Sequence, residues 1–316
     1  RKFWIKPSVK FLTKYLKENH IDVVVSTGPP HSMHLIALKL KEKLKIKWVA
    51  DFRDPWTNID FYKDLKLTSC SDNKHKRLEK LVLTKADAVI SVGKTMGEEL
   101  KQLGAKNLHV ITNGYDSRDI PETRPCLDSD FSIVHVGSIN KDRNHEVFWQ
   151  AIQELIAENE SLKQKLIIKF IGKLDHDILD QVENKNLANN FKHIEYITHD
   201  MVMNELMKAR LLYLPINNTP NAKGIVTGKF FEYLAAKRPV LVIGPEESDI
   251  QKIMDSTKSG LVFNFENLNG IKNFITDSFS NFLEKKDDDL NINSDEFSRK
   301  KLTEKLSLIL EKVSNE

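Results

Sequence analysis

Lys229 and Glu232 stand three residues apart at the head of an apolar run, and their chemistry together suits a phosphorylated ligand. They belong to VTGKFFEYLAAKRPVLVIG, residues 226–244. Thr227 is placed to cap a helix over 228–237, its side chain accepting from an amide two or three residues on. Pro239 ends that helix. The first amides, those of Gly228, Lys229 and Phe230, lack partners within the helix and with its dipole make an anion seat. Gly228 adds no side chain, so a ligand can come close. Helical side chains lean toward the N-terminus, which aims the Glu232 carboxylate back at the seat. A cation, several amides and a carboxylate at one helix start suit a nucleoside diphosphate joined to a ribose. The same pair also reads as an ordinary surface contact worth roughly 0.2–0.5 kcal/mol.

Three other stretches carry groups able to hold polar ligands. Lys141 and Arg143 follow an apolar strand over 131–136, where a cation could neutralise phosphate or simply face water. Asp51, Arg53, Asp54 and Trp56 crowd one short turn, DFRDPW, and read equally as a ligand site or as an internal arginine–carboxylate brace. His31 and His34 open a helix after the turn TGPPHS, but no carboxylate or cysteine sits at an offset that completes a metal site, so no metal is expected.

The elements that must position these groups alternate. Before residue 117, strands over 21–26, 47–50, 88–92 and 109–111 are separated by helical periods over 33–44, 74–84 and 95–103. After residue 130, strands over 131–136, 166–171, 191–197, 211–216, 240–243 and 261–263 are again separated by helical patterns. This order gives an α/β chain of two doubly wound, Rossmann-like domains, with ligands expected beyond the carboxyl ends of parallel strands. The expected domains are 1–116, a polar linker over 117–130, 131–290, and a final amphipathic helix within 291–316 that packs back on the first domain. The acidic run Asp287-Asp288-Asp289 reads as a solvated connector. The chain starts in a helical pattern with no strand ahead of it, so the first part of the first domain is expected to precede this sequence.

Composition excludes several classes. A net charge of +3 over 316 residues is too small for nucleic-acid binding by bulk electrostatics. No Gly-x-Gly-x-x-Gly follows a strand and no Gly-x4-Gly-Lys-Ser/Thr occurs, which argues against a dinucleotide oxidoreductase and a P-loop nucleotidase. Cys70 and Cys126 match no redox or metal spacing, which suits a reducing compartment. No apolar run approaches the ~20 residues of a membrane span, so the expected location is cytoplasmic. The opening helix carries Lys6, Lys10, Lys14 and Lys17 beside its apolar positions; peripheral contact with the inner face of a membrane and a plain solvated flank are its two readings.

ADAVISVGKTMGEELKQLGAKNLHVITNGYD (86–116) closely resembles the segment that closes the first domain of GT-B fold glycosyltransferases, particularly family 4. VHVGSINKDRN and GKFFEYLAAKRPVLVIG resemble that family's second-domain motifs, and IDVVVSTGPPHS with VADFRDPW its first-domain strands. The resemblance implies two domains across a cleft, the second binding a nucleotide sugar, UDP- or GDP-linked, and the first an acceptor. It further implies transfer to a hydroxyl of a glycan or lipid-linked acceptor in cell-surface polysaccharide synthesis, with retention of configuration and no metal or separate cofactor.

By that resemblance Glu232 holds the ribose hydroxyls and Arg143 stands for the phosphate-binding lysine. Gly137 and Ser138 stand where the family has Gly-Arg, and the amides around Thr227 and Gly228 match the diphosphate seat. Ile197 offers backbone groups to the nucleobase, and Arg53 or Asp54 faces the transferred sugar; on physical grounds Lys229, with Arg143 and the helix amides, is placed to stabilise the charge on a departing diphosphate. One departure is plain: the family's first motif glutamate falls on Gly224. A nucleotide-sugar epimerase of the same fold and a catalytically silent nucleotide-sugar-binding protein are the alternative expectations.

Overall fold

The computed structural model describes residues 2–286 and 291–316, so the run Asp287-Asp288-Asp289 lies outside the described residues. The chain divides into two compact units, one of Arg1–Asn113 with Lys300–Glu316, the other Gly114–Arg299. The polar run 117–130, expected as a linker, falls within the second unit.

In the first unit α1 (Ile5–Glu18) precedes β1 (Val23–Gly28), α2 (Ser32–Leu44), β2 (Lys47–Phe52), α3 (Ser69–Lys85), β3 (Ala88–Ser91), α4 (Lys94–Gln102) and β4 (Leu108–Val110). The four strands form a parallel sheet in the order β1-β2-β3-β4. Trp48, Val49, Ala50 and Phe52 are fully buried, as a strand covered on both faces requires. β2 runs two residues further than its apolar pattern, which draws Asp51 into the strand opposite Thr27. α3 begins at Ser69, five residues earlier than the periodicity suggests, because Thr68 caps it by accepting from the Ser71 amide.

The second unit runs β5 (Phe131–Val136), α5 (Glu146–Glu158), α6 (Glu160–Lys165), β6 (Leu166–Ile171), α7 (His176–Asn184), β7 (Phe191–Ile194), α8 (His199–Lys208), β8 (Leu211–Pro215), α9 (Gly228–Ala236), β9 (Val240–Ile243), α10 (Asp249–Thr257), β10 (Gly260–Phe263) and α11 (Leu268–Leu283). Its six strands are parallel in the order β10-β9-β8-β5-β6-β7. The direction of winding reverses between β5 and β8, and ligands of open parallel sheets bind outside the carboxyl ends at such a point. β9 is buried at every position, and Phe230, Phe231, Leu234 and Ala235 turn the inner side of α9 into the core.

The last helix, α12 (Arg299–Asn315), returns to the first unit, where Leu302 and Val313 pack with Val49, Ala88 and Ile90. Its apolar period is readable from residue 294, yet the helix starts at Arg299. Tyr115 donates its amide to the Phe297 carbonyl and accepts from the Arg299 amide, an isolated bridge to Ser298 that follows a 3-10 turn over Asp295–Phe297. Phe297, expected on the helix face, is instead buried in the second unit against Phe231.

Candidate functional site

The second unit gathers its cations at the winding reversal. β5 delivers Gly137 and Ser138, β8 delivers Asn217, and α9 begins beside them. Gly137 has φ +117, and a Cβ there would come within 2.0 Å of Lys229 Nζ. The ammonium therefore rests against the Gly137 main chain, and only glycine leaves it room. Gly172, at the end of β6 with φ +123, meets the Gly137 backbone in turn; its Cβ would lie 2.8 Å from the Gly137 carbonyl oxygen.

Arg143 is held in place by two bonds: Nε donates to Asn217 Oδ1 at 2.6 Å and Nη1 to the Ser138 carbonyl at 3.3 Å. Neither Lys229 nor Arg143 has a carboxylate partner among the described residues. Burial, with the Arg143 charge adding to it, lowers the Lys229 pKa to about 8, while Glu232 pulls the other way. A half-buried ammonium repelled by a neighbouring guanidinium is unfavourable until an anion joins it.

The main chain contributes as well. The amides of Gly228 and Lys229 have no acceptor among the described residues, whereas that of Phe230, expected to be free, donates to the Thr227 carbonyl at 3.1 Å. Thr227 occupies the cap position with extended backbone, but its side chain makes no cap bond and Oγ1 is buried without a partner. Of its two candidate donors the Phe230 amide is taken by the carbonyl, and the Lys229 amide is left open. A Cβ on Gly228 would meet nothing within 4 Å, so the protein itself does not demand glycine there.

Glu232 does not sit over this cluster. Its carboxylate lines a separate small pocket of the same unit with Asp116, Asp119, His199, Met203 and Arg299. It makes no hydrogen bond among the described residues. Burial raises its pKa, His199 and Lys229 oppose that rise, and Asp119 reinforces it. His199 Nε2 lies 3.3 Å from Asp119 Oδ2, and Arg118 clasps Asp116 through Nε and Nη2 at 3.1 and 2.7 Å. Ile197 lies between β7 and α8, beyond the end of the strand expected to contain it, partly buried against the core. Its amide and carbonyl carry no hydrogen bond among the described residues. Gly224 closes a 3-10 turn, Ala222–Gly224, and offers main chain only.

Residues that sequence reading passed over complete the floor. His135 is buried within β5; its Nδ1 donates to the Tyr213 carbonyl at 2.9 Å, which leaves Nε2 without a partner. Burial and the Lys229 charge lower its pKa to about 3, so it stays neutral. Tyr233 Oη accepts from the Val136 amide at 2.9 Å and so ties α9 to the end of β5. The signal for both was a polar group inside an otherwise apolar run.

In the first unit the turns TGPPHS and DFRDPW lock together. His31 stacks on Trp56 with ring centroids 4.9 Å apart and an interplanar angle of 7°. His34 Nδ1 is 2.8 Å from Ser26 Oγ, which also accepts from Trp48 Nε1 at 2.8 Å. Arg53 donates Nη2 to Asn113 Oδ1 at 2.6 Å and Nη1 to the Ile111 carbonyl at 3.4 Å, and lies 3.6 Å from Asp51. It is therefore the internal brace of the two readings. Asp54 remains exposed, its pKa raised by partial desolvation and by Asp60.

No described helix is long and apolar enough to cross a membrane. Residues 1–119 match the profile of Glycosyltransferase Family 4. No curated protein matches the sequence. Among solved structures, HepE from Anabaena in complex with UDP is similar over 97% of this chain and 82% of its own, at 12% identity and a TM-score of 0.69. Sucrose-phosphate synthase from Thermosynechococcus elongatus is similar over 96% of this chain and 77% of its own, at 13% identity and a TM-score of 0.66. A putative UDP-N-acetylglucosamine 2-epimerase from Listeria monocytogenes follows, over 96% and 78%, at 12% identity and a TM-score of 0.57. At such identities the likeness speaks for the fold. With two all-parallel Rossmann-like sheets the chain has a GT-B fold, and its first 119 residues match the family 4 profile.

Proposed function

We propose that the chain transfers a sugar from a nucleotide sugar to a hydroxyl acceptor, a glycan or a lipid-linked glycan of cell-surface polysaccharide synthesis. One observation carries the reading: Lys229 and Arg143 stand together at the start of α9, half-buried, without a carboxylate for either. A nucleoside diphosphate supplies the missing charge. In the reaction the acceptor oxygen bonds to the anomeric carbon as the bond from that carbon to the diphosphate oxygen breaks. The electron pair leaves on the diphosphate, and the hydroxyl proton passes to the departing oxygen. Lys229, Arg143 and the Gly228 and Lys229 amides stabilise the charge that develops there. Attack on the face the diphosphate leaves gives retention, and these cations do the work for which other sites use a metal.

Glu232 would hold the ribose hydroxyls and the free main-chain groups of Ile197 the base, with Gly137 and Ser138 along the diphosphate. Asp54 is the first-unit residue for the transferred sugar, since Arg53 is committed to its own fold. HepE, whose structure holds UDP, is the reason to try UDP before GDP. Thermal denaturation with each tests the reading: a ligand at one hundred times its Kd stabilises by about 2.7 kcal/mol. Stabilisation by UDP or GDP that Glu232→Ala weakens is the expected result; no response to either nucleotide overturns it.

Gly224 favours a second reading, a nucleotide-sugar-binding protein without turnover, because the position offers no carboxylate to the donor sugar. Binding without product across a panel of acceptors selects it. Interconversion of the donor alone would select the epimerase.

A further inference from the structure

The strand ladder of the second unit stops short at the winding reversal. β5 pairs with β6 from Phe131 to Val136 but with β8 only at Ile133↔Leu211 and Val134↔Leu212. Beyond Val134 side chains take over the bonding. His135 Nδ1 donates to the Tyr213 carbonyl at 2.9 Å. Tyr233 Oη accepts from the Val136 amide at 2.9 Å and reaches the same carbonyl at 3.4 Å. An imidazole and a phenol thus wedge β5 apart from β8, at the crevice where ligands of such sheets bind. A carbonyl can only accept, so the ring proton is on Nδ1 and Nε2 carries a lone pair. That atom is buried and has no partner among the described residues; the whole residue is 1% exposed. An apolar side chain would suit this strand without leaving an acceptor unmet.

We propose that His135 is a positioning residue for Lys229, its Nε2 lone pair accepting a hydrogen bond from the ammonium while a bound diphosphate takes the other donors. This rests on the reading of Lys229 as part of a diphosphate seat. Two residues beyond His135, Gly137 carries that ammonium on its main chain. Burial, then the Lys229 charge, lowers the ring's pKa to about 3; Arg143 adds to them, and the Tyr213 and Gly137 carbonyls oppose. A ring that stays neutral offers Nε2 as an acceptor alone. It cannot serve the oxygens of a phosphate, which are acceptors too, and it can serve a cation. Lys229 has three donors and makes no hydrogen bond among the described residues. With one donor held by the strand, the ammonium presents the others to the diphosphate in a fixed direction.

UDP binding measured by calorimetry on single and paired variants tests it. Asparagine sets its amide nitrogen near the place of Nδ1, so His135→Asn keeps the bond to the Tyr213 carbonyl and removes the Nε2 acceptor. It should weaken UDP binding about tenfold. On a Lys229→Ala background the same change should cost nothing, because the donor is already gone. His135→Gln, whose carboxamide oxygen reaches the place of Nε2, should recover most of the loss. An equal loss in both backgrounds, or no loss in either, overturns the proposal and leaves His135 as a wedge alone. If circular dichroism shows that a variant at this buried position does not fold, nitrogen NMR with isotopically labelled histidine decides on the unaltered protein. The bare Nε2 of His135 is expected to move upfield as UDP binds, the direction of a nitrogen that accepts a hydrogen bond, and to stay in place in Lys229→Ala. No movement, or the same movement without Lys229, overturns the proposal. Absence of any response to UDP or GDP overturns this inference together with the transfer reading, whereas binding without coupling to Lys229 overturns this inference alone.

Discussion

Arg53 in the first unit and Lys229 in the second both stand near the carboxyl ends of parallel strands, in stretches equally dense with charge. Arg53 is surrounded by acceptors of its own protein: a side-chain amide, a main-chain carbonyl and a carboxylate. Lys229 has the Gly137 main chain beneath it and another cation beside it. The difference teaches how to sort charged loop residues. A cation whose acceptors are all supplied by the fold stabilises the fold, and one left with repulsion stabilises something the fold does not contain.

The largest expected effect breaks or confirms that contrast at its stronger end. On the proposed reaction Lys229→Ala removes a donor to the departing diphosphate, so kcat/KM should fall on the order of a hundredfold, about 3 kcal/mol of barrier. The melting temperature of the free protein should hold or rise, because an unpaired half-buried charge is gone. A large loss of stability instead would make Lys229 a structural residue like Arg53. The converse substitution, Arg53→Ala, is expected to cost about 2 kcal/mol of stability through lost charged hydrogen bonds, read by denaturant titration, with UDP affinity unchanged.

Acidity sharpens the same point. Lys229 releases its proton near 8 in the folded protein, against an ordinary value of 10.5. Between those limits the unfolded chain holds more protons, so the stability of the free protein should increase with pH across that window. UDP affinity should run the opposite way, steady below 8 and falling about tenfold per unit above it until the complex itself deprotonates. Calorimetric titration and thermal melts on one buffer series read both slopes, and Lys229→Ala should flatten both. The smallest effect concerns Gly228. Alanine there meets no protein atom and lowers the entropy of the unfolded chain, so Gly228→Ala should stabilise by about 0.5 kcal/mol while weakening nucleotide binding. Unchanged binding would show that no ligand approaches that Cα.

Much of this was legible in order and spacing. The β-α alternation gives both sheets, and the apolar run before Gly137, the cations at 141 and 143 and the GKFFEYL helix locate the cluster within its unit. Four things were not legible. Helical spacing sets Lys229 and Glu232 as neighbours and aims both at one seat, and it does not say that one reaches over Gly137 while the other lines a pocket with Asp116 and His199. The Thr227 side chain makes no cap bond although the Lys229 amide stays open, which residue type does not reveal. Phe297 carries the period of the last helix yet serves the other unit, since the hydrogen bonds of Tyr115 override periodicity. Arg53 had two readings in sequence because its partners, Ile111 and Asn113, lie some sixty positions away.

Where Gly172 meets Gly137, peptide faces peptide, and at that contact the cation cluster offers no side chain to vary. Change at that contact must then come from its neighbours, the first turn of α9 and the segment from Ser138 to Arg143. A mutational library over those two walls, with His135, Tyr233 and Asn217 added, would sample the side chains that border this seat.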